Sequence, residues 1–162
     1  MISRRSRHLV KSATALLIIA LLLPGCSTGV VVHDELRAAE LIVDFLSSLK
    51  SDEGIERSYA WTDDSYKERV SSAEFTSMVA RLRYRNRGAE IRLTGFEIFG
   101  PVEVINVYAS SSAGEDELYF RFILTGTRSK DYYLLNFSIE ESAFDKKGVY
   151  REYRRPIAVD GL

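Results

Sequence analysis

The sequence predicts an α+β protein in which N-terminal helices pack on a four-strand antiparallel sheet, with a signal peptide in front. Three observations predict it. Apolar residues recur at three- and four-residue spacing from Asp34 to Asn86, the helical period. Beyond Gly88 the period drops to two and β-branched and aromatic residues take over. A basic segment followed by a short apolar run opens the chain.

Composition narrows the possibilities before any motif does. With 162 residues, 46% of them hydrophobic and 28% charged, the chain suits one folded domain at 33–162 rather than a disordered one. Arg4, Arg5, Arg7 and Lys11 precede Gly25 with no acid among them, so 18 of the 22 basic residues remain against all 23 acidic ones. The part after Gly25 is therefore mildly acidic and lacks the positive field of a nucleic-acid binder, which excludes that partner. Cys26 is the one cysteine, so neither a disulfide within the chain nor a thiolate-rich metal site can form.

Residues 1–12 are basic, and Ala13 to Leu23 form an apolar run that fits the core of a signal peptide. A helix of that length falls well short of a hydrocarbon layer about 30 Å thick. The next four residues, Leu23-Pro24-Gly25-Cys26, resemble the lipobox of bacterial lipoproteins, with Pro24 standing where that family usually has a small residue. The resemblance implies cleavage between Gly25 and Cys26, removal of residues 1–25, and a diacylglyceryl group on the Cys26 thiol with an acyl chain on its new amine. These covalent lipids would be the only cofactor, and the membrane the first partner. Two or more chains anchor stably where one binds marginally. By the same resemblance, Ser27, neutral at the second mature position, favours the outer membrane over inner-membrane retention, facing the periplasm, where a Gram-negative cell envelope sorts lipoproteins by that residue. Residues 26–32 then serve as the lipidated tether.

The first helix follows from Asp34, with Leu36, Ala39, Ile42, Val43, Leu46 and Leu49 on one face and Asp34 and Glu35 at its positive end. A second short helix is expected over Ile55 to Trp61, then a break at Thr62-Asp63-Asp64-Ser65 and a turn carrying Tyr66. Ser71-x-x-Glu74 is a capping box that opens a third helix with Phe75, Met78, Val79 and Leu82 on its apolar stripe. Glu90 to Phe99 reads as a strand whose apolar phase slips across Thr94-Gly95, the mark of a β-bulge. Val102 to Ala109 is the second strand and Ser110 to Asp116 a polar loop. The alternation of Leu118, Phe120, Phe122 and Leu124, then of Tyr133, Leu135, Phe137 and Ile139, gives the third and fourth. Tyr150 to Tyr153 adds at most a short edge strand.

Three helices followed by a curved four-strand meander resembles the cone-shaped nuclear transport factor 2-like fold, over residues 34–141. The likeness is carried by the long first helix, Tyr59-Ala60-Trp61 to Tyr66, Ser72-Ala73-Glu74-Phe75 and the four strands. It implies a sheet wrapped around the helices to make a pocket, used for catalysis in some members and for ligands or protein contacts in others.

The chemistry of catalysis is sparse. His33 is the only histidine after Gly25 and sits at the tether boundary, where a solvent-exposed role is expected. Asp63-Asp64 lacks a glycine-punctuated cation loop and suits helix capping. No catalytic residue and no metal ligand set is assigned. Tyr59, Trp61, Tyr66 and Phe75 could line an apolar pocket, with Trp61 and Tyr66 at its mouth, although core packing explains them more readily. Arg81, Arg83, Arg85 and Arg87 form one basic cluster and Arg151, Arg154 and Arg155 another, either able to meet anionic lipid or an acidic partner, though a solvated, salt-bridged face is the simpler reading. These features point to a non-enzymatic envelope domain that binds a small apolar ligand or another envelope protein. Two readings stay open beside it: an isomerase- or dehydratase-like enzyme using Asp131 or Glu117 with a strand tyrosine, and a structural or assembly subunit.

Overall fold

In the computed structural model, which describes residues 31–114 and 116–162, Asp34 opens the first helix by accepting a hydrogen bond from the Arg37 amide at 3.1 Å. Helix α1 spans Glu35–Ser48, α2 Asp52–Ala60, α3 the single turn Asp64–Lys67, and α4 Ser72–Asn86. The expected capping box is formed, with the Ser71 hydroxyl receiving the Glu74 amide and the Glu74 carboxylate receiving the Ser71 amide. Arg87 ends α4 in the left-handed conformation, at φ 50°. The expected signal peptide, the Leu23-Pro24-Gly25-Cys26 motif and the expected tether as far as residue 30 lie outside the described residues. No helix among the described residues is long and apolar enough to cross a membrane.

Five strands follow, not four: β1 Ile91–Ile98, β2 Val104–Ala113, β3 Asp116–Thr127, β4 Lys130–Glu140 and β5 Val149–Val159. They form one antiparallel sheet in the order β4-β3-β2-β1-β5. The bulge expected at Thr94-Gly95 is present, as the pairing of β1 with both neighbours shifts between Leu93 and Gly95. A Cβ at Gly95 would meet the Arg151 carbonyl at 2.5 Å, so the bulge brings β5 closer than any larger residue permits. Leu118, Phe120, Phe122 and Leu124 all point into the core, as their alternation predicts.

Three expectations need correction. Ser110 to Asp116 is not a loop, because β2 runs on to Ala113 and β3 starts at Asp116 with Gly114 in the tight turn between them, at φ 74°. The inward residues at the start of β4 are Tyr132 and Leu134 rather than Tyr133 and Leu135, because the pairing slips between Ile123 and Leu124 and reverses the phase before Phe137. In α1 the buried stripe is Ala38, Ala39, Ile42, Phe45 and Leu46, while Leu36 faces out.

The helices cover one face of the sheet, and Phe45 of α1 sits at the centre of the layer between them. Its ring meets those of Phe75, Phe122 and Phe137 edge-on at 6.2, 6.2 and 6.0 Å between centroids, the arrangement aromatic quadrupoles favour. Val31–Leu162 forms one compact unit. Because Phe45 touches both helix and sheet layers, Phe45→Ala should cost about 3–5 kcal/mol, read as a lowered urea midpoint with an unchanged slope.

The fifth strand imposes a crossing. Since β4 and β5 lie at opposite edges, residues Glu141–Gly148 must pass over the sheet. The start is level with Arg92 and the end with Ile98, so the crossing is diagonal. Four strand spacings amount to about 19 Å sideways, with most of a strand's length besides. Nine residue steps from Glu140 to Val149 reach at most about 30 Å, so this strap is close to fully extended.

Candidate functional site

The four aromatic residues expected around a pocket do not stay together. Tyr66 and Phe75 are fully buried, Phe75 within the Phe45 cluster and Tyr66 edge-on to it at 6.3 Å. Tyr66 is therefore not at a pocket mouth, and burial pushes its phenol up to about 12. Tyr59 is half-buried, its ring against Phe75 at 5.5 Å and its hydroxyl donating to the Val70 carbonyl at 2.7 Å. The rings fill the space between helices and sheet.

Trp61 is placed differently. It is half-buried and forms a wall of an open groove with Arg37, Glu40, Leu41 and Asp44 of α1 and Asp131 and Tyr132 of β4. Arg37, Glu40, Leu41 and Asp44 fall three and four apart, hence on one helix face. The backbone fixes the indole from behind: the Leu134 amide donates to the Trp61 carbonyl at 3.1 Å and the Asp63 amide to the Leu134 carbonyl at 2.9 Å. These bonds also close part of the otherwise bare edge of β4. Arg37 pairs with Asp131, leaving Glu40 and Asp44 exposed and without an ion pair among the described residues. The groove thus combines an indole, a leucine and a phenol with two carboxylates free to meet a cation.

The most strongly held carboxylate lies on the opposite face of the sheet. Glu97 of β1 is 1% exposed beneath the strap. One oxygen accepts the amides of Lys147 and Gly148, and the other accepts Tyr108 Oη at 2.5 Å and Asn106 Nδ2 at 3.2 Å. Desolvation alone would raise its pKa, but the bonds from Tyr108, Gly148, Lys147 and Asn106 outweigh it and hold the carboxyl below the usual glutamate value. Burial, and then the bond to Glu97, push Tyr108 up to about 12. Phe144 of the strap packs on Tyr108 at 6.1 Å beneath the Arg121 guanidinium, 4.7 Å from its centroid. Lys146 lies over Tyr108 and Tyr150 at 5.3 and 5.2 Å. With both oxygens occupied and backbone above, Glu97 is a fastening rather than a proton shuttle. The sequence offered only a polar residue in a strand as a signal for it.

The remaining candidates scatter. Arg83 donates to the Leu49 carbonyl at the end of α1 and lies 3.5 Å from Asp52, while Arg85 pairs with Glu141 at 3.1 Å. Arg81 and Arg87 are exposed, so the run does not form one basic face. His33 is not solvent-exposed: at 7% exposure its Nε2 meets the Val102 carbonyl at 3.0 Å and its ring stacks on Tyr132. Asp63 caps α3 as expected, its carboxylate accepting the Ser65 amide at 2.8 Å. Glu117 is exposed on β3, and Asp131 is engaged by Arg37 on the exterior. No cluster of three or more metal-ligating side chains occurs among the described residues. Cys26 and Gly25 fall outside them. Comparison with protein-family models, curated proteins and solved structures finds no significant match to this chain.

Glu97 makes the pH dependence directional. Its folded pKa lies below the unfolded value of 4.5, so the unfolded chain takes up the proton first. The stabilisation is whole above that value and drains away as the pH falls through the depressed pKa. Glu97→Gln, which keeps the shape and loses the charge, should cost about 2–3 kcal/mol at neutral pH and flatten the acid limb in urea titrations. Tyr108 acts at the other end, its contribution being complete below pH 10 and lost as the pH rises toward about 12.

Proposed function

We propose that the chain is a lipid-anchored protein of the bacterial cell envelope whose domain, a nuclear transport factor 2-like cone, works without catalysis by docking a basic segment of another envelope protein in the Trp61 groove. The groove carries this reading, because an indole wall flanked by Glu40 and Asp44, which have no ion pair among the described residues, suits a lysine or arginine side chain through cation–π and charge contacts together. The order of helices before an antiparallel meander supports the cone, with β5 as an addition to its four strands. Its interior, filled by Phe45, Phe75, Phe122 and Phe137, speaks against a small apolar ligand lodged there. It also leaves Glu117 and Asp131, the acids an isomerase-like mechanism would use, on the outside.

Trp61 is the only tryptophan, so its emission reports on the groove alone. Titration with a lysine- and arginine-rich peptide should shift that emission saturably, and Glu40→Lys with Asp44→Lys should weaken binding at least about tenfold. An equal response to an acidic peptide of the same length overturns the groove assignment. Mass spectrometry of the N-terminus from cells should find lipid on Cys26, and Cys26→Ala should release the protein from membranes. An unmodified Cys26 overturns the anchor.

A further inference from the structure

We propose that the end of the domain where the chain leads back toward Cys26 is a membrane-apposed face, formed by Val32, Leu36, Val102, Arg128, Arg154 and Arg155, that rests on anionic lipid headgroups. This deepens the reading of Cys26 as a lipid anchor and rests on it.

The strands define two ends. At one, the Arg128 amide in the β3–β4 turn donates to the Val32 carbonyl at 2.8 Å, His33 meets the Val102 carbonyl in the β1–β2 turn, and β5 begins opposite Ile98. The entry of the chain is thereby stapled to two turns of the sheet. At the other end lie the C-terminus of α4 and the end of β5, where Lys50 approaches Asp160 at 3.8 Å. Six residue steps separate Cys26 from Val32, a reach of at most about 20 Å. A bilayer holding Cys26 therefore lies within that distance of the first end.

That end, with the adjoining flank where the start of α1 meets the middle of β5, has the surface a bilayer would favour. Val32, Leu36, Val102 and Val149 are 47, 60, 45 and 59% exposed, and they are four of the six large hydrophobic residues so exposed among those described. Leu36 shares a groove with Arg151, Arg154 and Arg155 of the irregular middle of β5, where four residues of that strand face Thr94 alone. The tyrosine between these arginines, Tyr153, turns inward, its hydroxyl donating to the Glu35 carbonyl at 3.3 Å and its ring packing on Phe96, which leaves the arginines outside. Arg128, Arg151, Arg154 and Arg155 form no ion pair among the described residues, unlike Arg83 and Arg85. Glu35 and Glu152 are the carboxylates in the same groove, so three guanidinium groups keep it positive. Each basic charge near an anionic leaflet strengthens attachment several-fold. The Arg81 to Arg87 run lies toward the far end and takes no part.

To test this apart from native lipidation, the chain from residue 26 is coupled through Cys26 to a maleimide lipid, in vesicles of phosphatidylcholine alone or with phosphatidylglycerol. Hydrogen–deuterium exchange is then read by mass spectrometry. The phosphatidylglycerol vesicles should slow exchange several-fold at 32–36, 100–103, 128–130 and 151–155. High salt should remove that protection, and so should Arg151→Glu with Arg154→Glu and Arg155→Glu at unchanged Tm. Arg81→Glu with Arg87→Glu should leave it intact. Equal protection on phosphatidylcholine, protection centred on 81–88, or none at all overturns the proposal. Failure of the anchor itself would show instead as an unmodified Cys26 in protein taken from cells.

Discussion

A single buried carboxylate holds the parts of this domain that its topology would otherwise leave loose. With β4 and β5 at opposite edges, the chain must cross the bare face of the sheet, and a crossing peptide carries amides that water can no longer reach. Glu97 accepts two of them, at Lys147 and Gly148, where the strap descends into β5. A Cβ at Gly148 would meet the Ile98 carbonyl at 2.5 Å, so the amide can approach only because no side chain is there. Tyr108 and Asn106 complete the shell from the next strand, which is why a charge at 1% exposure is tolerated. The dependence runs onward: β5 has only β1 as a neighbour, Tyr153 of β5 packs on Phe96 and bonds the start of α1, and α1 delivers Phe45 to the core. Losing the Glu97 contacts loosens β5 first, and through it the first helix.

How far this was legible depends on the range of the interactions. The capping box at Ser71 and Glu74, the bulge at Gly95 and the alternation from Leu118 to Leu124 were all readable, because each is written within ten residues of itself. The continuation of β2 through Ser110–Ser112 was not. The outer face takes Ser110 and Ser112 as readily as a loop would, and pairing with Glu117 to Tyr119 decides the matter from across the turn. Strand β5 hid for a related reason. Arg151, Glu152, Arg154, Arg155 and Pro156 break the alternation, and charge and proline are what an edge strand tolerates in place of it. The phase of β4 failed by one residue since a slip in the ladder turns every preceding side chain over.

The functional surface was less legible, and the causes are physical too. Burial of His33 requires a carbonyl 69 residues away, and the Glu97 cluster needs backbone amides 50 and 51 residues away. Neither leaves a local trace. The aromatic set from Tyr59 to Phe75 was visible as a set, but whether a ring fills a core or lines a groove depends on what faces it. Phe45 faces Phe75, whereas Trp61 faces the polar side of α1. The arginines divide in the same way. Arg83 is absorbed by the Leu49 carbonyl and Arg85 by Glu141, while Arg151, Arg154 and Arg155 of β5 form no ion pair among the described residues.

Those placements sort the surface charge along the molecule. Among the described residues, arginines without an ion pair gather in the stretch of β5 beside the start of α1, and carboxylates without one line the flank of α1 from Glu40 to Asp44. For the proposed anchored domain, six residue steps from Cys26 to Val32, the separation would matter, since a basic patch drawn down to an anionic leaflet would leave the acidic groove opening sideways. A basic partner segment would compete poorly for a groove pressed against the membrane, yet meets no such barrier on the flank. In that proposed state the staples at His33 and Arg128 would keep the geometry, because fraying of the first residues would lengthen the tether and let the domain turn over.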